Sequence, residues 1–408
     1  MAEGEAEVTM ARPGEDVRSM TSVLQTLGAV TGVETMPDGL TRVRLLGGGT
    51  RKAARLPGSG GEVLDCGNAG TAMRLLIGAL AGRPARATLV GDASLSTRPM
   101  ERVAAPLRTI GALVTTEDGH APVTVEGSRK LVATEHDLPV ASAQAIGCLA
   151  LAGLAAKGST VIRVPGPTRD HTERMLAWMG APVRRVGYST TVEGPAGFAA
   201  RTVDVPGDIS GAAAWLVAGA VHPDAHIVIE DVGLNPSRTG IIDVLRDMGA
   251  DIKVASDGPT EWCPEPVGTI TVSGGKPLHA IELGGDRVAD VIDELPLISV
   301  AMAAAEGTST LRDARELRVK ESDRITRVVE GLRAIGAHAE EREDGWVVSR
   351  GSPRDAAITT DADHRIAMSF AIAALTGVAG TVGIDDPACA AVSYPTFWTD
   401  MELSLIHI

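Results

Sequence analysis

The chain has 408 residues, 44% of them hydrophobic and 22% charged, which excludes wholesale disorder; the length exceeds what one core usually serves, so about two domains are expected. Five Trp, two Tyr and three Phe with a net charge of −14 offer neither stacking platforms nor a basic surface, which excludes general nucleic-acid binding. Cys66, Cys148, Cys263 and Cys389 are far apart without metal-ligand spacing, the acidic start MAEGEAEVTM lacks the features of a signal peptide, and no apolar run reaches the ~18 residues of a membrane span, so no metal, no membrane and a cytoplasmic location are expected.

The first predicted element is an amphipathic helix closing near Leu24, followed by a strand over 41–46. Residues 65–74, DCGNAGTAMR, set a Gly/Asn turn directly before an apolar helix over 70–81. Such a helix start either faces an anion with its backbone N–H groups or is simply capped, with Thr71 near the first turn. Residues 91–100, GDASLSTRPM, crowd Ser and Arg98 into a turn stopped by Pro99. Arg98 there either grips a carboxylate or phosphate through two N–H groups or faces solvent at a helix start. A second amphipathic helix closes at Leu107, before a strand over 123–125. Ser142 opens the next apolar stretch, 142–156, where Gln144 has little reason to stand unless it meets a ligand. Arg169-Asp170-His171 precede the helix reaching Leu176, and Asp170 is competent as its N-cap.

Gly194, Gly197 and Pro206-Gly207 break the periodicity and place a seam near Arg201. Beyond it an apolar stretch over 209–221 and an amphipathic helix to Leu245 repeat the pair. The following apolar helix, 292–305, is interrupted by Asp293-Glu294, and a buried carboxylate is costly unless paired or functional. LRVKESDR at 317–324 packs two acids and three bases together; a solvated face is the usual reading, and on a helix or tight turn Lys320 and Arg324 share a side at i and i+4. After the helix through Leu332 and a strand over 346–349, Asp363-His364-Arg365 open the last apolar stretch, 364–375. His364 alone reads as a capped or core histidine; collectively Arg98, Lys320, Arg324 and Arg365 sit at element starts, where an acidic protein can present one local positive funnel.

The pattern L-x-x-[LIM]-G-A occurs five times, from Leu24, Leu107, Leu176, Leu245 and Leu332, and alternates with the apolar helices at near-constant spacing. The repeating unit is strand, buried helix, strand, amphipathic helix and two strands, three times per domain, with a first domain over 1–201, a second over 202–402 and residues 403–408, LSLIHI, as a non-native tail. Counting back from Leu24 puts the first buried helix before Met1, so the opening strand and helix are expected to be missing; an atypical terminal repeat is the plainer alternative.

Taken together, GNAGTAMR at 67–74, GDASLSTRPM at 91–100, RVKESDR at 318–324 and DHRIAMSF at 363–370 closely resemble the EPSP synthase branch of the enolpyruvyl transferase family, over nearly the whole chain and in the family's order. The resemblance implies an α/β (α+β) fold of two similar domains, each of three βαβαββ units with helices inside and sheets outside, an inside-out α/β barrel. It implies transfer of the enolpyruvyl group of phosphoenolpyruvate to the 5-hydroxyl of shikimate 3-phosphate, no cofactor, and a monomer with these two small molecules as its partners. It implies catalytic roles for Asp293 as base and Glu321 as proton shuttle, shikimate 3-phosphate binding by Ser142, Gln144, Arg169, Asp293 and Lys320, and phosphoenolpyruvate binding by Gly70, Arg98, Gln144, Arg324 and Arg365. The chain departs from the family pattern in three places. The opening PGDKSxSxR motif has no counterpart, Ala145-Ile146-Gly147 stands where a Lys often follows the Gln, and Val392 stands where some members carry Lys. Two alternatives follow: a non-catalytic truncated fragment, or a UDP-N-acetylglucosamine enolpyruvyl transferase, a group with a loop Cys that residues 100–115 lack.

Overall fold

The computed structural model describes residues 2–48 and 61–405. The chain divides into two compact units, Met1–Val205 with Glu261–Pro264, and Pro206–Thr260 with Glu265–Ile408. The short stretch 261–264 belongs to the first unit because the Asp204 N–H donates to the Trp262 carbonyl at 3.0 Å, an excursion that no local pattern announces.

The first unit runs β1 (Glu3–Met10), α1 (Glu15–Thr26), β2 (Val30–Thr35), β3 (Thr41–Gly48), β4 (Glu62–Asp65), α2 (Gly70–Ala81), β5 (Arg86–Val90), α3 (Ala93–Ser96), α4 (Glu101–Thr109), β6 (Leu113–Glu117), β7 (His120–Glu126), β8 (Glu135–Asp137), α5 (Ala143–Gly153), β9 (Gly158–Arg163), α6 (His171–Trp178), β10 (Val183–Val186), β11 (Ser189–Gly194) and β12 (Val203–Asp204). Its three sheets share one topology, orders β12-β1-β3-β2, β4-β5-β7-β6 and β8-β9-β11-β10, each with one parallel edge pair and two antiparallel pairs. The strands alternate buried and exposed positions, as in β7, so each sheet turns one face to the interior and one to water. The parallel partner of β1 is β12, brought from the unit's far end.

The second unit runs α7 (Ile209–Val221), β13 (His226–Gly233), α8 (Gly240–Asp247), β14 (Asp251–Pro259), β15 (Pro266–Ser273), β16 (Glu282–Leu283), α9 (Arg287–Val291), α10 (Leu295–Ala304), β17 (Thr308–Leu311), α11 (Arg324–Ala334), β18 (His338–Arg342), β19 (Gly345–Ser349), β20 (Ala356–Ile358), α12 (His364–Leu375), β21 (Val382–Ile384) and α13 (Phe397–Leu405), with 3-10 turns at Arg315–Val319 and Pro387–Val392. Helix α13 carries the first three residues of the expected tail; residues 406–408 lie outside the described residues.

The amphipathic helices end alike for one reason. Gly28, Gly111, Gly180, Gly249 and Gly336 take φ between 71° and 103°, and the alanine after each donates its N–H to the carbonyl of the leucine five residues earlier, as Ala29 does to Leu24 at 2.8 Å. This is the Schellman closure, in which glycine adopts the left-handed conformation that costs other residues about 1–2 kcal/mol. The apolar helices are buried nearly all round, and glycines let their neighbours approach. A Cβ on Gly78 of α2 would lie 2.1 Å from the carbonyl oxygen of Cys148 on α5.

In the second unit α7, α10 and α12 pack on one another around the core. In the first, α2 and α5 pack together, and an apolar trough of about 410 Å³ lies alongside, lined by Val8, Leu24, Leu27, Leu45, Leu76, Leu80 and Met175 among others. One expectation needs correction: 292–305 is not a single helix. Its first three residues form a turn that follows α9 and holds Asp293 and Glu294, and the helix proper, α10, starts at Leu295. The interruption has a local cause, since Pro296 fits only the first turn of a helix and so makes α10 begin afresh beside the two carboxylates.

Candidate active site

The first unit gathers its candidate site residues at the starts of α2 and α5 and in the turn after α3. Asp92 caps α3 by accepting from Leu95 N at 2.7 Å and also accepts from Asn68 Nδ2 at 2.7 Å. Asn68 Oδ1 in turn accepts from Arg98 Nη2 at 2.6 Å, so the GNAG and GDAS motifs jointly aim one guanidinium. Gly70 permits this: a Cβ there would stand 3.2 Å from Arg98 Nη1 and 3.3 Å from Arg74 Nη1. Two guanidinium groups therefore flank the first residue of α2, where the helix dipole adds to the positive field.

Gln144, in the first turn of α5, is fixed at both ends of its amide. Its Oε1 accepts from Arg74 Nη1, and its Nε2 donates to Thr71 Oγ1 at 2.8 Å. Ser142 caps α5, its Oγ accepting from Ala145 N at 3.3 Å, which keeps its O–H available to donate. Arg169 is half-buried before α6, where its carbonyl accepts from Arg185 Nη1 at 3.4 Å. Sequence reasoning missed Arg74. It is 6% exposed and also donates to the Pro99 carbonyl at 3.2 Å, and its only signal was an arginine inside an apolar helix.

The second unit brings Asp293, Lys320, Glu321 and Arg324 together around one buried cation. Arg324, the first residue of α11, is 1% exposed. Its Nε and Nη2 donate to Asp363 at 2.8 and 3.2 Å, Nη2 lies 2.7 Å from Glu321 Oε2, and Nη1 lies 3.5 Å from Asp293 Oδ1. Burial opposes this charge, and the carboxylates of Asp363, Glu321 and Asp293 outweigh it, holding the guanidinium's pKa above its ordinary value. Lys320 Nζ reaches the same Asp293 oxygen at 3.5 Å. Lys320 and Arg324 thus meet on one carboxylate, but from the end of a 3-10 turn and the start of a helix rather than from one helical face.

Asp363 is fully buried and caps α12, accepting from Arg365 N at 2.9 Å and from Ser322 Oγ at 2.9 Å as well as from Arg324. Burial alone would raise its pKa; Arg324 foremost, then His364 and the Arg365 N–H, bring it down to about 2. His364 is pushed below its ordinary value, by burial and by Arg365 beside it, and stays neutral at pH 7. Arg365 lies in the first turn of α12, with Nη1 donating to the Ser210 carbonyl at 3.2 Å. Val392 closes the 3-10 turn before Ser393.

Chemically, the second unit holds two carboxylates, Asp293 and Glu321, on a cationic frame, the equipment for moving two protons at neighbouring atoms. The first offers arginine forks and an oriented amide for anionic and hydroxyl groups.

The family model for EPSP synthase (3-phosphoshikimate 1-carboxyvinyltransferase) matches residues 1–401. A 3-phosphoshikimate 1-carboxyvinyltransferase of Gloeobacter violaceus is 45% identical over 404 residues, covering 98% of this chain and 90% of its own length. One from Salinibacter ruber is 48% identical over 347 residues, covering 84% and 79%. The solved structure of an EPSP synthase from Acinetobacter baumannii superposes with a TM-score of 0.83 at 38% identity, covering 98% of this chain and 90% of that one. With the motifs, the repeats and both clusters in place, these likenesses settle the family: the chain belongs to the EPSP synthases.

Proposed function

We infer that this chain is a transferase that moves the enolpyruvyl group of phosphoenolpyruvate to the 5-hydroxyl of shikimate 3-phosphate and releases phosphate. The observation that carries the residue assignment is the pairing of Asp293 and Glu321 on the Arg324 guanidinium, at 3.5 and 2.7 Å.

In the addition step the 5-hydroxyl oxygen bonds to C2 of phosphoenolpyruvate while C3 takes a proton. In the elimination step the C2–O bond to phosphate breaks, a proton leaves the C3 methyl, and the double bond returns. Asp293 takes the hydroxyl proton, held in place by Lys320 and Arg324. Glu321 gives the proton to C3 and later removes one. Ser142, Gln144, Arg169 and Lys320 bind shikimate 3-phosphate, whose hydroxyl and phosphate groups suit a free O–H, an oriented amide and cations. Gly70, Arg98, Gln144, Arg324 and Arg365 bind the carboxylate and phosphate of phosphoenolpyruvate, for which guanidinium forks are matched in shape and charge. We also propose a monomer of the cytoplasm, the location supported by four buried cysteines that form no disulfide; sedimentation tests the first part.

The test is phosphate release from shikimate 3-phosphate plus phosphoenolpyruvate. The chain turns over, and Asp293→Asn and Glu321→Gln each lower kcat by about 10²–10⁴-fold with the fold intact. No release from the folded parent chain selects the non-catalytic alternative, and release undiminished in both variants removes the acid–base assignment.

A further inference from the structure

Two consecutive residues with side chains, Asp361 and Ala362, take φ of 51° and 58° directly before Asp363. The Asp363 N–H donates to the Thr360 carbonyl at 3.0 Å, which makes residues 360–363 a type I′ turn. That turn normally takes Asn-Gly, because both central positions are left-handed, and a residue with a Cβ at the second is held there against its preference. What holds it lies mostly outside the turn. Asp385, just past β21, accepts from Thr360 N at 3.0 and 3.3 Å and from Thr360 Oγ1 at 2.7 Å. Its own N–H donates to the Ile358 carbonyl at 3.2 Å, tying it to the strand that feeds the turn. Arg327 Nε meets Asp361 at 2.6 Å from the other side. Thr360 is fully buried, so Asp385 is the acceptor for a donor pair that water does not reach.

The turn's product is the placement of Asp363, which holds Arg324 with both carboxylate oxygens while Oδ1 also caps α12 at Arg365. We propose that Asp385 is a positioning residue: by clamping Thr360 it holds the strained turn that sets Asp363, and through Asp363 the Arg324 guanidinium and the first turn of α12. The inference rests on the reading that Arg324 and Arg365 bind phosphoenolpyruvate. Asp385 touches no reacting atom in this account; it acts at one remove, on the geometry of the binding groups.

The two substrates separate the idea from ordinary stability, and the strain at Ala362 gives it a rescue. Asp385→Ala removes the clamp, so the melting temperature falls and KM for phosphoenolpyruvate rises about ten-fold while KM for shikimate 3-phosphate stays within about two-fold. Ala362→Gly removes the conformational cost and raises the melting temperature. The Asp385→Ala/Ala362→Gly double variant, whose turn forms without the clamp, regains the melting temperature and most of the KM, and Asp385→Asn, which retains an acceptor oxygen for Thr360, also recovers most of the KM. A KM that stays raised in a double variant of restored melting temperature overturns the proposal, as does a parental KM in folded Asp385→Ala. Arg324→Lys is run alongside. If it leaves phosphoenolpyruvate KM unchanged, the site reading itself is wrong; if it raises KM and Asp385→Ala does not, only the positioning role fails. Should Asp385→Ala not fold, the double variant and Asp385→Asn carry the same comparison.

Discussion

Replacing Asp363 by Asn is the sharpest test of the buried cluster. Asp363 is wholly inside and serves four donors: Arg324 Nε and Nη2, Ser322 Oγ and the Arg365 N–H. Removing one partner of a buried ion pair costs about 3–5 kcal/mol, and an Asn that keeps one acceptor oxygen, with Glu321 still 2.7 Å from Arg324, belongs at the low end. Linkage gives a second route. The carboxyl is brought from 3.8 to about 2, despite burial that opposes this, chiefly by Arg324, which corresponds to about 2 kcal/mol. The two routes agree on roughly 2–3 kcal/mol, which for a unit of this size lowers the melting temperature by about 5–10 °C. Because the folded pKa is depressed, this stability is complete above the ordinary carboxylate value and is lost as pH falls through the folded one. The gap between parent and Asn variant therefore stays constant from pH 7 to about 5 and closes toward pH 2. Calorimetry across that range reads both. A loss under about 2 °C at pH 7, or a gap that does not close in acid, would refute the reasoning.

Three further outcomes follow from the same geometry. Gly70→Ala places a methyl 3.2 and 3.3 Å from the Arg98 and Arg74 guanidinium groups, so KM for phosphoenolpyruvate rises several-fold, about 1 kcal/mol, with little change in melting temperature; steady-state kinetics and a thermal scan check it. Gly331→Ala drives a Cβ to 2.1 Å from the Phe370 ring where α11 crosses α12, costing about 1–3 kcal/mol, and Phe370→Leu in the same chain recovers part of the lost denaturation midpoint. Gly111→Ala, at a φ of 94° in a helix closure, lowers the urea midpoint by the equivalent of about 1–2 kcal/mol and leaves both KM values alone.

The repeat was legible because its signal is local and chemical. A leucine, a glycine and an alanine at fixed offsets encode a helix end that only a left-handed residue can make, and all five do so. The apolar helices were legible for a complementary reason: with no polar face, they have nowhere to lie but inside. What escaped depends on partners distant in sequence. The break before α10 needed Pro296 to be weighed against an apolar run that otherwise continues. The pairing of β12 with β1 joins residues about two hundred positions apart and is two residues long, too short for any periodicity. Arg74 looked like an anomaly in a helix until Gln144 and Pro99, from other elements, supplied its acceptors.

At the candidate site, the motifs posed a choice between helix cap and ligand contact, and the geometry leaves room for one side chain to serve as both. A buried helix must satisfy its first N–H groups without water, so polar side chains gather at its start for structural reasons alone. A carboxylate can accept several bonds, however, and at Asp363 Oδ1 caps at Arg365 N and accepts from Arg324 Nη2 while Oδ2 accepts from Arg324 Nε and Ser322 Oγ. Ser142 divides its hydroxyl in the same way, accepting from Ala145 N and keeping a proton to donate. Capping therefore delivers functional groups to helix starts already oriented, and it explains why the legible residues cluster there. The residues that tune them, such as Asp385 acting through Thr360, sit on other strands and carry no local mark.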